Sequence, residues 1–313
     1  MALHTECRFP NSYSNAEEVA PPRYPVPDEQ VLSPTSEFLE GYNKNAPNYT
    51  TAKILAKPVY ADSFEDRGKI EFNAITTDPT NGEKMDRRNH DLTKPYTVID
   101  NIPQNPNGLT GMKGMGRLGR LGPNLAADAL VLRHKREINE DGSVGKSIWR
   151  NHKPVLELIL GTRKDGLKEK ALLGGMEESG DNPFKTAKKE FGEEGQNSKD
   201  ATPEEKKNIQ DRINVLFKNA YHLGRFYVDD PRNTDNSWMV TNVVLAIDMD
   251  GLTYQYKLSA GDDIATVGWH EITSDEKGEI KIAGTTRKLY ASHSDFVKQG
   301  YAYALTQIKL KID

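Results

Sequence analysis

The stretch Gly174–Gly195, GGMEESGDNPFKTAKKEFGEEG, has the pattern of a glycine turn followed by a helix. Asp181 or Asn182 is suited to cap that helix, because a short polar side chain there accepts a hydrogen bond from the first turn. Pro183 suits the first helical position, where a missing N–H loses no hydrogen bond. Apolar residues recur with the spacing of one buried helical face. We therefore predict a helix that begins at Pro183 and stops at Gly195.

Three acidic residues lie close together near the end of this predicted helix. Glu190, Glu193 and Glu194 have the i, i+3, i+4 spacing that places side chains on one side of a helix. Each like-charged pair so placed costs roughly 0.2–0.5 kcal/mol, and the C-terminal end of a helix disfavours anions. One interpretation is a solvated acidic face that nearby lysines neutralise. The other is a site for a hard divalent cation, because carboxylate oxygens are the ligands that such ions prefer.

The whole segment resembles the Nudix box, the signature motif of the Nudix hydrolases. Gly175 stands at the first glycine of the motif, and the three glutamates stand at the positions that the family uses for its metal. The departures are Asp181 for the first glutamate, Lys189 for the arginine, and Gln196-Asn197 for the final glycine and apolar residue. The resemblance implies that Gly175 and the three glutamates bind Mg²⁺, with Mn²⁺ as the alternative.

The same resemblance implies how the reaction is catalysed. Metal held at this site would bind pyrophosphate oxygens and lower the pKa of an attacking water. Glu193 and Glu194 are the catalytic metal ligands in this interpretation. A separate carboxylate would act as the base, and Asp262 or Asp263, in the sequence SAGDD, is our candidate. An ordinary polar turn remains an alternative for these two aspartates.

Three further segments extend the resemblance over most of the chain. They are Gly122–Asn124 with Ala126–Asp128, Tyr227–Trp238 and Leu289–Ser294, and Leu125 departs from the histidine of the resembling proteins. Together they are similar to Nudix hydrolases of the ADP-ribose pyrophosphatase type. They are equally similar to the C-terminal Nudix-homology domain of ADP-ribose-gated melastatin-type TRP channels, which the stretch Arg23–Val31 resembles more than the free enzyme. The resemblance implies a small N-terminal lobe, a Nudix core and ADP-ribose bound in the cleft between them.

Five residues in these segments have side chains that suit ADP-ribose. Arg232 is a fixed cation for phosphate or ribose, and Asp230 can accept from ribose hydroxyls. Tyr290 and His293 offer an aromatic surface and polar atoms to the nucleoside, and Asp128 faces the same cleft in the resembling proteins. The alternatives are a turn-rich hairpin held by its own Asx hydrogen bonds around Asp230, and a capping or core role for His293.

The chain divides by composition into three parts. Residues 1–36 are rich in proline, serine and glutamate, which indicates an extended lead-in. Residues 37–110 have short strand patterns, at Tyr49–Pro58 and Lys69–Ile75, and indicate a small β-containing lobe. Residues 111–313 contain the predicted Nudix core. The fold class that we predict is α/β, with the three-layer α/β/α sandwich of the Nudix core.

Strand and helix patterns alternate regularly only in the later part of the chain. The segment 101–124 has so many glycines, prolines and asparagines that we predict no regular element there. Strands are expected at Ala129–Arg133, Pro154–Arg163, Lys170–Leu173, Tyr221–Val228, Met239–Ile247 and Thr266–His270. A capping box at Thr202–Glu205 predicts a second helix, and a last amphipathic helix is expected to begin at Ser292 or Ser294.

Composition excludes several other classes of protein. The net charge of −4 over 313 residues gives no general attraction to nucleic acid or to an acidic membrane surface. The longest apolar runs are too short to span a bilayer, so we expect no direct membrane insertion. Cys7 is the single cysteine, and we expect no signal peptide and a cytosolic chain. If the chain is a channel domain, it is the cytosolic domain of a plasma-membrane channel, and the rest of that tetramer is its partner.

Three functions remain open at this point. The chain is an enzyme that hydrolyses ADP-ribose to AMP and ribose 5-phosphate, or a channel's ADP-ribose sensor in which hydrolysis is secondary or absent. A third and weaker option is a Nudix enzyme that acts on another nucleoside diphosphate derivative.

Overall fold

The computed structural model describes residues 67–312, apart from 78–81, 83, 109, 111–113, 116–117, 165–168, 179, 231, 262–263, 276–278 and 286–288. The lead-in and the predicted strand at Tyr49–Pro58 therefore lie outside the described residues. The chain forms two compact units, Met1–Leu125 with Arg225–Thr241, and Ala126–Gly224 with Asn242–Asp313. Within the described part, no helix is long and apolar enough to cross a membrane.

The protein is of the α/β class, as predicted. Its helices are α1 (Pro183–Gln196), α2 (Pro203–Leu216) and α3 (His293–Ile312). Its strands are β1 (Ile75–Thr77), β2 (Lys84–Asp86), β3 (Val98–Ile99), β4 (Ile102–Pro103), β5 (Gly122–His134), β6 (Arg136–Ile138), β7 (Val144–Ser147), β8 (Trp149–Arg150), β9 (Lys153–Pro154), β10 (Leu156–Arg163), β11 (Lys170–Ala171), β12 (Leu173–Met176), β13 (Tyr221–Tyr227), β14 (Ser237–Asp248), β15 (Ile264–Ser274) and β16 (Ile280–Ile282).

One large sheet organises the strands that matter for the site. Its order is β13-β14-β5-β10-β15-β16, with β11 paired to β10 and β12 paired to β5. The antiparallel register of β12 and β5 places Gly174 opposite Asp128 and Gly175 opposite Ala127. Opposite residues of an antiparallel pair face the same side of a sheet. The glycine pair of the predicted box therefore lies beside the middle of the longest strand.

The core of the second unit forms between this sheet and the first two helices. Phe191 of α1 is completely buried and packs with Ile213 of α2 and with Val131 of β5. Phe191 also makes edge-to-face contacts with Phe217 and Tyr256, at centroid distances of 5.7 and 6.5 Å. Burial of such a side chain stabilises the fold by about 1.5–3 kcal/mol. This packing fixes the face of α1 that carries the aromatic residue and so orients its acidic residues.

The first unit has a smaller core of its own. Tyr96 and Trp238 meet edge to face at 5.0 Å, and Leu125 and Val240 complete the cluster. Polar residues that precede β14 bond to backbone in this unit: the Asn236 side chain accepts from the Gly114 N–H at 2.9 Å. These bonds satisfy backbone groups that the surrounding glycine-rich segment leaves without a strand or helix partner.

Two predictions for the N-terminal half were wrong. The stretch Lys69–Ile75 is not a strand; a 3₁₀ turn ends at Lys69, and β1 begins only at Ile75. The segment 101–124 contains β4 and the start of β5 at Gly122. The β3–β4 hairpin forms because Asp100 and Asn101 adopt φ of 50° and 59°, the left-handed conformation that such tight hairpins require and that aspartate and asparagine tolerate.

The ends of α1 and α3 also differ from prediction. Asn182 caps α1 by accepting from the Lys185 N–H, and Pro183 is the first residue, as predicted. Gly195 does not stop the helix. Asn197 does so instead, with φ 50° and ψ 44°. Asparagine adopts this left-handed conformation more readily than other side chains, so it replaces the usual glycine. The last helix begins at His293.

We expect Phe191→Ala to lower the free energy of unfolding by about 3–5 kcal/mol, because it leaves a cavity in the core of the second unit. Val215→Ala is the matched control: Val215 lies on α2 with 61% of its surface exposed, and its loss should change stability by less than about 0.5 kcal/mol. Urea unfolding followed by circular dichroism measures both variants. Equal midpoints for the two would contradict the packing described here.

Candidate active site

The last turn of α1 presents the three glutamates of the predicted metal site. Glu190 and Glu194 are buried, and Glu193 is partly exposed. These glutamates lie next to Phe191 in the sequence. The packing of Phe191 into the core therefore directs the acidic side of α1 toward β12. Two of the three carboxylates are therefore inside the protein, whereas the alternative interpretation expected all three on a solvated acidic face.

The glycine pair of β12 accepts these carboxylates at very close range. A Cβ atom on Gly175 would lie 2.5 Å from the carboxyl carbon of Glu190, which is too close for any side chain. The N–H of Gly174 donates to Glu194 at 2.9 Å. A hydrogen bond to the ionised form of a carboxylate stabilises its charge. A Cβ on Gly175 would meet the Glu190 carboxylate, whereas a Cβ on Gly174 would meet Asp128 and the Ala127 carbonyl of β5, so glycine suits both positions.

A lysine beyond the helix end holds the third glutamate. The Nζ atom of Lys199 lies 2.9 Å from an oxygen of Glu193. Lys199 is in the turn that follows Asn197, where a cation also complements the negative end of the α1 dipole. Glu193 is therefore turned toward this lysine. Among the described residues, no three His, Cys, Asp or Glu side chains converge as a ready metal site.

Two of the residues that depart from the Nudix box, Lys189 and Asp181, form ion pairs. Lys189 is hydrogen-bonded to Glu178, and this bond, with the nearby charges of Glu193 and Glu190, raises the pKa of its ammonium group. Asp181 pairs with Lys185, one helical turn along α1, and is not turned toward the glycines. Lysine can neutralise a carboxylate but lacks the planar double donor of the arginine usual in the box.

The loop Ser259–Gly261 covers the C-terminal end of α1. The Ser259 N–H donates to the Gly195 carbonyl at 3.0 Å, and the Gly261 N–H donates to the Glu194 carbonyl at 3.3 Å. A Cβ on Gly261 would lie 2.3 Å from the Glu193 carbonyl oxygen. These bonds satisfy carbonyls that a helix end leaves unpaired. Asp262 and Asp263, our candidates for the base, follow directly in the chain but lie outside the described residues.

His293 and Asp128 meet on the other side of the glycine pair. The Leu172 N–H donates to Nδ1 of His293 at 3.0 Å, so the neutral ring carries its proton on Nε2. That Nε2 lies 3.8 Å from an oxygen of Asp128. A Cβ on Gly174 would lie 2.2 Å from the same Asp128 oxygen. The structure therefore brings these two predicted substrate-binding residues together, next to Gly174 and Gly175.

Tyr290 lies beside this pair, at the start of α3. Its N–H donates to the Lys170 carbonyl at 2.9 Å, and its ring is 5.8 Å from that of His293. The guanidinium carbon of Arg163 lies 4.4 Å from the centroid of the Tyr290 ring. A cation over an aromatic face is attracted by the negative charge of that face. Arg163 was not a sequence candidate, because nothing in its local pattern separates it from other strand-end arginines.

Asp230 and Arg232 belong to the first unit. Arg232 donates from two nitrogens to the two oxygens of Asp230, both at 2.8 Å. Asp230 is buried and Arg232 is partly exposed. The segment also contains an Asx bond of the kind that the alternative interpretation expects, from the Arg232 N–H to the Asp230 side chain at 2.8 Å. A ligand role and a hairpin stabilised by its own side chains are therefore compatible in this segment.

Sequence reasoning missed a buried polar chain beside the box. Asn242 of β14 donates from its side chain to Glu177 at 2.7 Å and accepts from Nε2 of His222 at 3.0 Å. Glu177 and Asn242 are both buried. Glu177 directly follows β12, so these hydrogen bonds fix the segment that joins the glycine pair to α1. The only local signal was an acidic residue between the glycine turn and the helix, which a polar turn explains equally well.

Comparisons with known proteins identify the family of this chain. A model described as "NUDT9-like, N-terminal domain" matches residues 26–122. The mitochondrial ADP-ribose pyrophosphatase of Rattus norvegicus is 35% identical over 283 residues, which are 88% of this chain and 72% of that protein. A putative Nudix hydrolase 6 of Caenorhabditis elegans is 33% identical over 94% of this chain and 95% of that protein.

A channel protein also matches. The transient receptor potential cation channel subfamily M member-like 2 of Nematostella vectensis is 39% identical over 257 residues. The match covers 80% of this chain but 15% of the channel protein. The predicted resemblance is thereby confirmed, since the full-length relatives exceed 30% identity over most of their own length. The chain belongs to the Nudix hydrolase family, in the group that contains the mitochondrial ADP-ribose pyrophosphatase.

Proposed function

We propose that this Nudix hydrolase cleaves the pyrophosphate of ADP-ribose to AMP and ribose 5-phosphate with the help of Mg²⁺. The observation that carries the proposal is the close contact of Glu190 and Glu194 with the Gly174-Gly175 backbone. The substrate is inferred from the rat mitochondrial ADP-ribose pyrophosphatase, to which this chain is similar over most of its length.

The chemistry of the donor set fits a hard divalent cation. Glu190, Glu193, Glu194 and the Gly175 carbonyl offer only oxygen, which suits Mg²⁺, with Mn²⁺ as the alternative. The space that a Cβ of Gly175 would fill is taken by the Glu190 carboxylate, so side chain and backbone oxygens lie close together. When bound, the cation would neutralise pyrophosphate oxygens and lower the pKa of an attacking water.

The chain's own groups would bind and orient the rest of the substrate. His293 presents a neutral ring with its proton toward Asp128, so this pair can exchange hydrogen bonds with ribose hydroxyls. Tyr290 offers an aromatic face that Arg163 already approaches. In this proposal Asp230 and Arg232 also bind ADP-ribose, because a fixed cation suits phosphate or ribose and a carboxylate can accept from ribose hydroxyls.

We assign deprotonation of the attacking water to Asp262 or Asp263. The support is the chain connection: both residues follow Gly261, whose N–H is bonded to the carbonyl of Glu194. A base must lie within hydrogen-bond reach of the water, directly or through a second water. We also propose that the chain acts in the cytosol, as its sequence predicts.

Incubation of the chain with ADP-ribose and Mg²⁺ should yield AMP and ribose 5-phosphate in equal amounts. EDTA should abolish the products, because phosphoryl-type transfer depends on neutralisation of phosphate charge. Chromatography of the nucleotides measures both results, and parallel reactions with NAD and ADP-glucose provide the comparison. Faster cleavage of either of those compounds would overturn the substrate assignment but not the Nudix chemistry.

Glu194→Gln should lower kcat by about a hundredfold or more while the protein remains folded, because it removes a charged oxygen from the metal site. Glu204→Gln is the matched control, since Glu204 lies on the exposed first turn of α2. Steady-state kinetics with a circular dichroism spectrum of each variant measures the effect. If Glu194→Gln and Glu204→Gln had the same kcat, Glu194 would have no part in catalysis.

Gly175→Ala should lower kcat by about a hundredfold, because displacement of a catalytic group by about one ångström has effects of this size. The new Cβ would lie 2.5 Å from the Glu190 carboxyl carbon, so that carboxylate must move. Gly68→Ala is the control, because nothing lies within 4 Å of a Cβ at that position. Unchanged kinetics in Gly175→Ala would show that the close contact is not needed.

A second candidate function is an ADP-ribose sensor domain of a cation channel, in which hydrolysis is secondary or absent. The Nematostella relative favours it, since the match is confined to 15% of a channel protein. The partner would then be the rest of a tetrameric channel. Isothermal titration calorimetry with ADP-ribose, next to the product analysis, separates the candidates: binding without AMP formation supports a sensor, and AMP formation supports the enzyme. The sequence encoded upstream distinguishes a channel domain from a free-standing enzyme.

A further inference from the structure

The ion pair between Lys199 and Glu193 has a consequence for metal binding. Glu193 is one of the three box carboxylates, yet its oxygen is held 2.9 Å from the Lys199 ammonium. The ammonium charge beside this oxygen repels a divalent cation that approaches the same carboxylate. We propose that Lys199 competes with a divalent cation for Glu193: it pairs with this carboxylate until the cation displaces it. This inference rests on the proposed function of the site.

The position of Lys199 supports a role as a counter-ion of the acidic helix end. Two other box carboxylates are buried in the same turn, and the helix dipole adds negative charge there. The last turn of α1 itself contains no basic residue. Because Asn197 reverses the chain in a left-handed conformation, Lys199 returns to the end of the helix that it follows. Without metal, this cation reduces the repulsion among the carboxylates.

The pair is weak enough to be displaced. The side chain of Lys199 is 47% exposed and that of Glu193 is 14% exposed. An ion pair with one solvent-exposed partner contributes little to stability, because water screens the attraction and the long side chain loses entropy. A divalent ion held by several oxygens gains far more from Glu193 than one ammonium does. Competition therefore lowers the metal affinity without preventing binding.

The competition also explains the geometry of the described site. Glu190 lies against Gly175 and Glu194 accepts from Gly174, whereas Glu193 is directed to the turn after the helix. A rotation of the Glu193 side chain is then the change that brings the third carboxylate to the other two. The backbone of α1 does not need to move, because its core face is fixed by Phe191.

Lys199→Gln should strengthen binding of Mn²⁺ about three- to tenfold, because it removes one positive charge close to the bound ion. The measurement is a titration of the full chain with Mn²⁺ alone, with free Mn²⁺ counted by electron paramagnetic resonance. Lys207→Gln is the matched control: Lys207 is exposed on α2 and its replacement changes the net charge equally. Lys199→Arg keeps the charge and should bind Mn²⁺ as the unaltered chain does.

Thermal unfolding adds a readout that does not depend on turnover. In EDTA, Lys199→Gln should melt at or below the temperature of Lys207→Gln, and saturating Mn²⁺ should raise its Tm more. Equal Mn²⁺ affinities for Lys199→Gln and Lys207→Gln would overturn the inference and leave the proposed metal site intact. Wild-type Mn²⁺ affinity in Glu193→Gln would instead overturn the metal role of Glu193, and the competition with it.

Discussion

The contact between the end of α1 and the Gly174-Gly175 backbone is the constraint on which the site depends. A buried carboxylate is unfavourable unless hydrogen bonds or opposite charges compensate it. Here the Gly174 N–H compensates Glu194, and Glu190 fits only because Gly175 has no side chain. The pairing of β12 with β5 holds both glycines in place. A Cβ on Gly175 would displace the Glu190 carboxylate, and a Cβ on Gly174 would clash with Asp128 and the Ala127 carbonyl of β5.

The hydrophobic core supplies the energy that keeps this unfavourable turn in position. Phe191 directly follows Glu190 and stands two residues before Glu193, so its burial determines where those side chains point. Loss of a buried aromatic side chain costs several times the repulsion of one carboxylate pair on a helix. The fold can therefore hold an acidic cluster that an isolated helix would disfavour. The Asn182 cap and Pro183 fix the other end of α1 and so set its register.

Sequence patterns predicted the parts of the site that depend on local spacing. The cap at Asn182, the start of α1 at Pro183 and the capping box of α2 all follow from neighbouring residues. The start of β5 at Gly122 did not follow, because the pairing of distant strands overrides a glycine- and proline-rich composition. Lys199 and the bond between Asn242 and Glu177 were missed for the same reason, since each depends on a tertiary contact.

The departures from the Nudix box at Gln196 and Asn197 lie where α1 ends. Gln196 continues the helix, and Asn197 takes the left-handed conformation that ends it. The end of α1 can then receive Gly261, where a Cβ would lie 2.3 Å from the Glu193 carbonyl and 2.7 Å from the Asn197 side chain. Two backbone segments, one with Gly174-Gly175 and one with Gly261, thus approach the same acidic turn where no side chain fits. Glycine at Gly175 and Gly261, together with a left-handed residue after Gln196, lets the backbone approach the acidic turn closely.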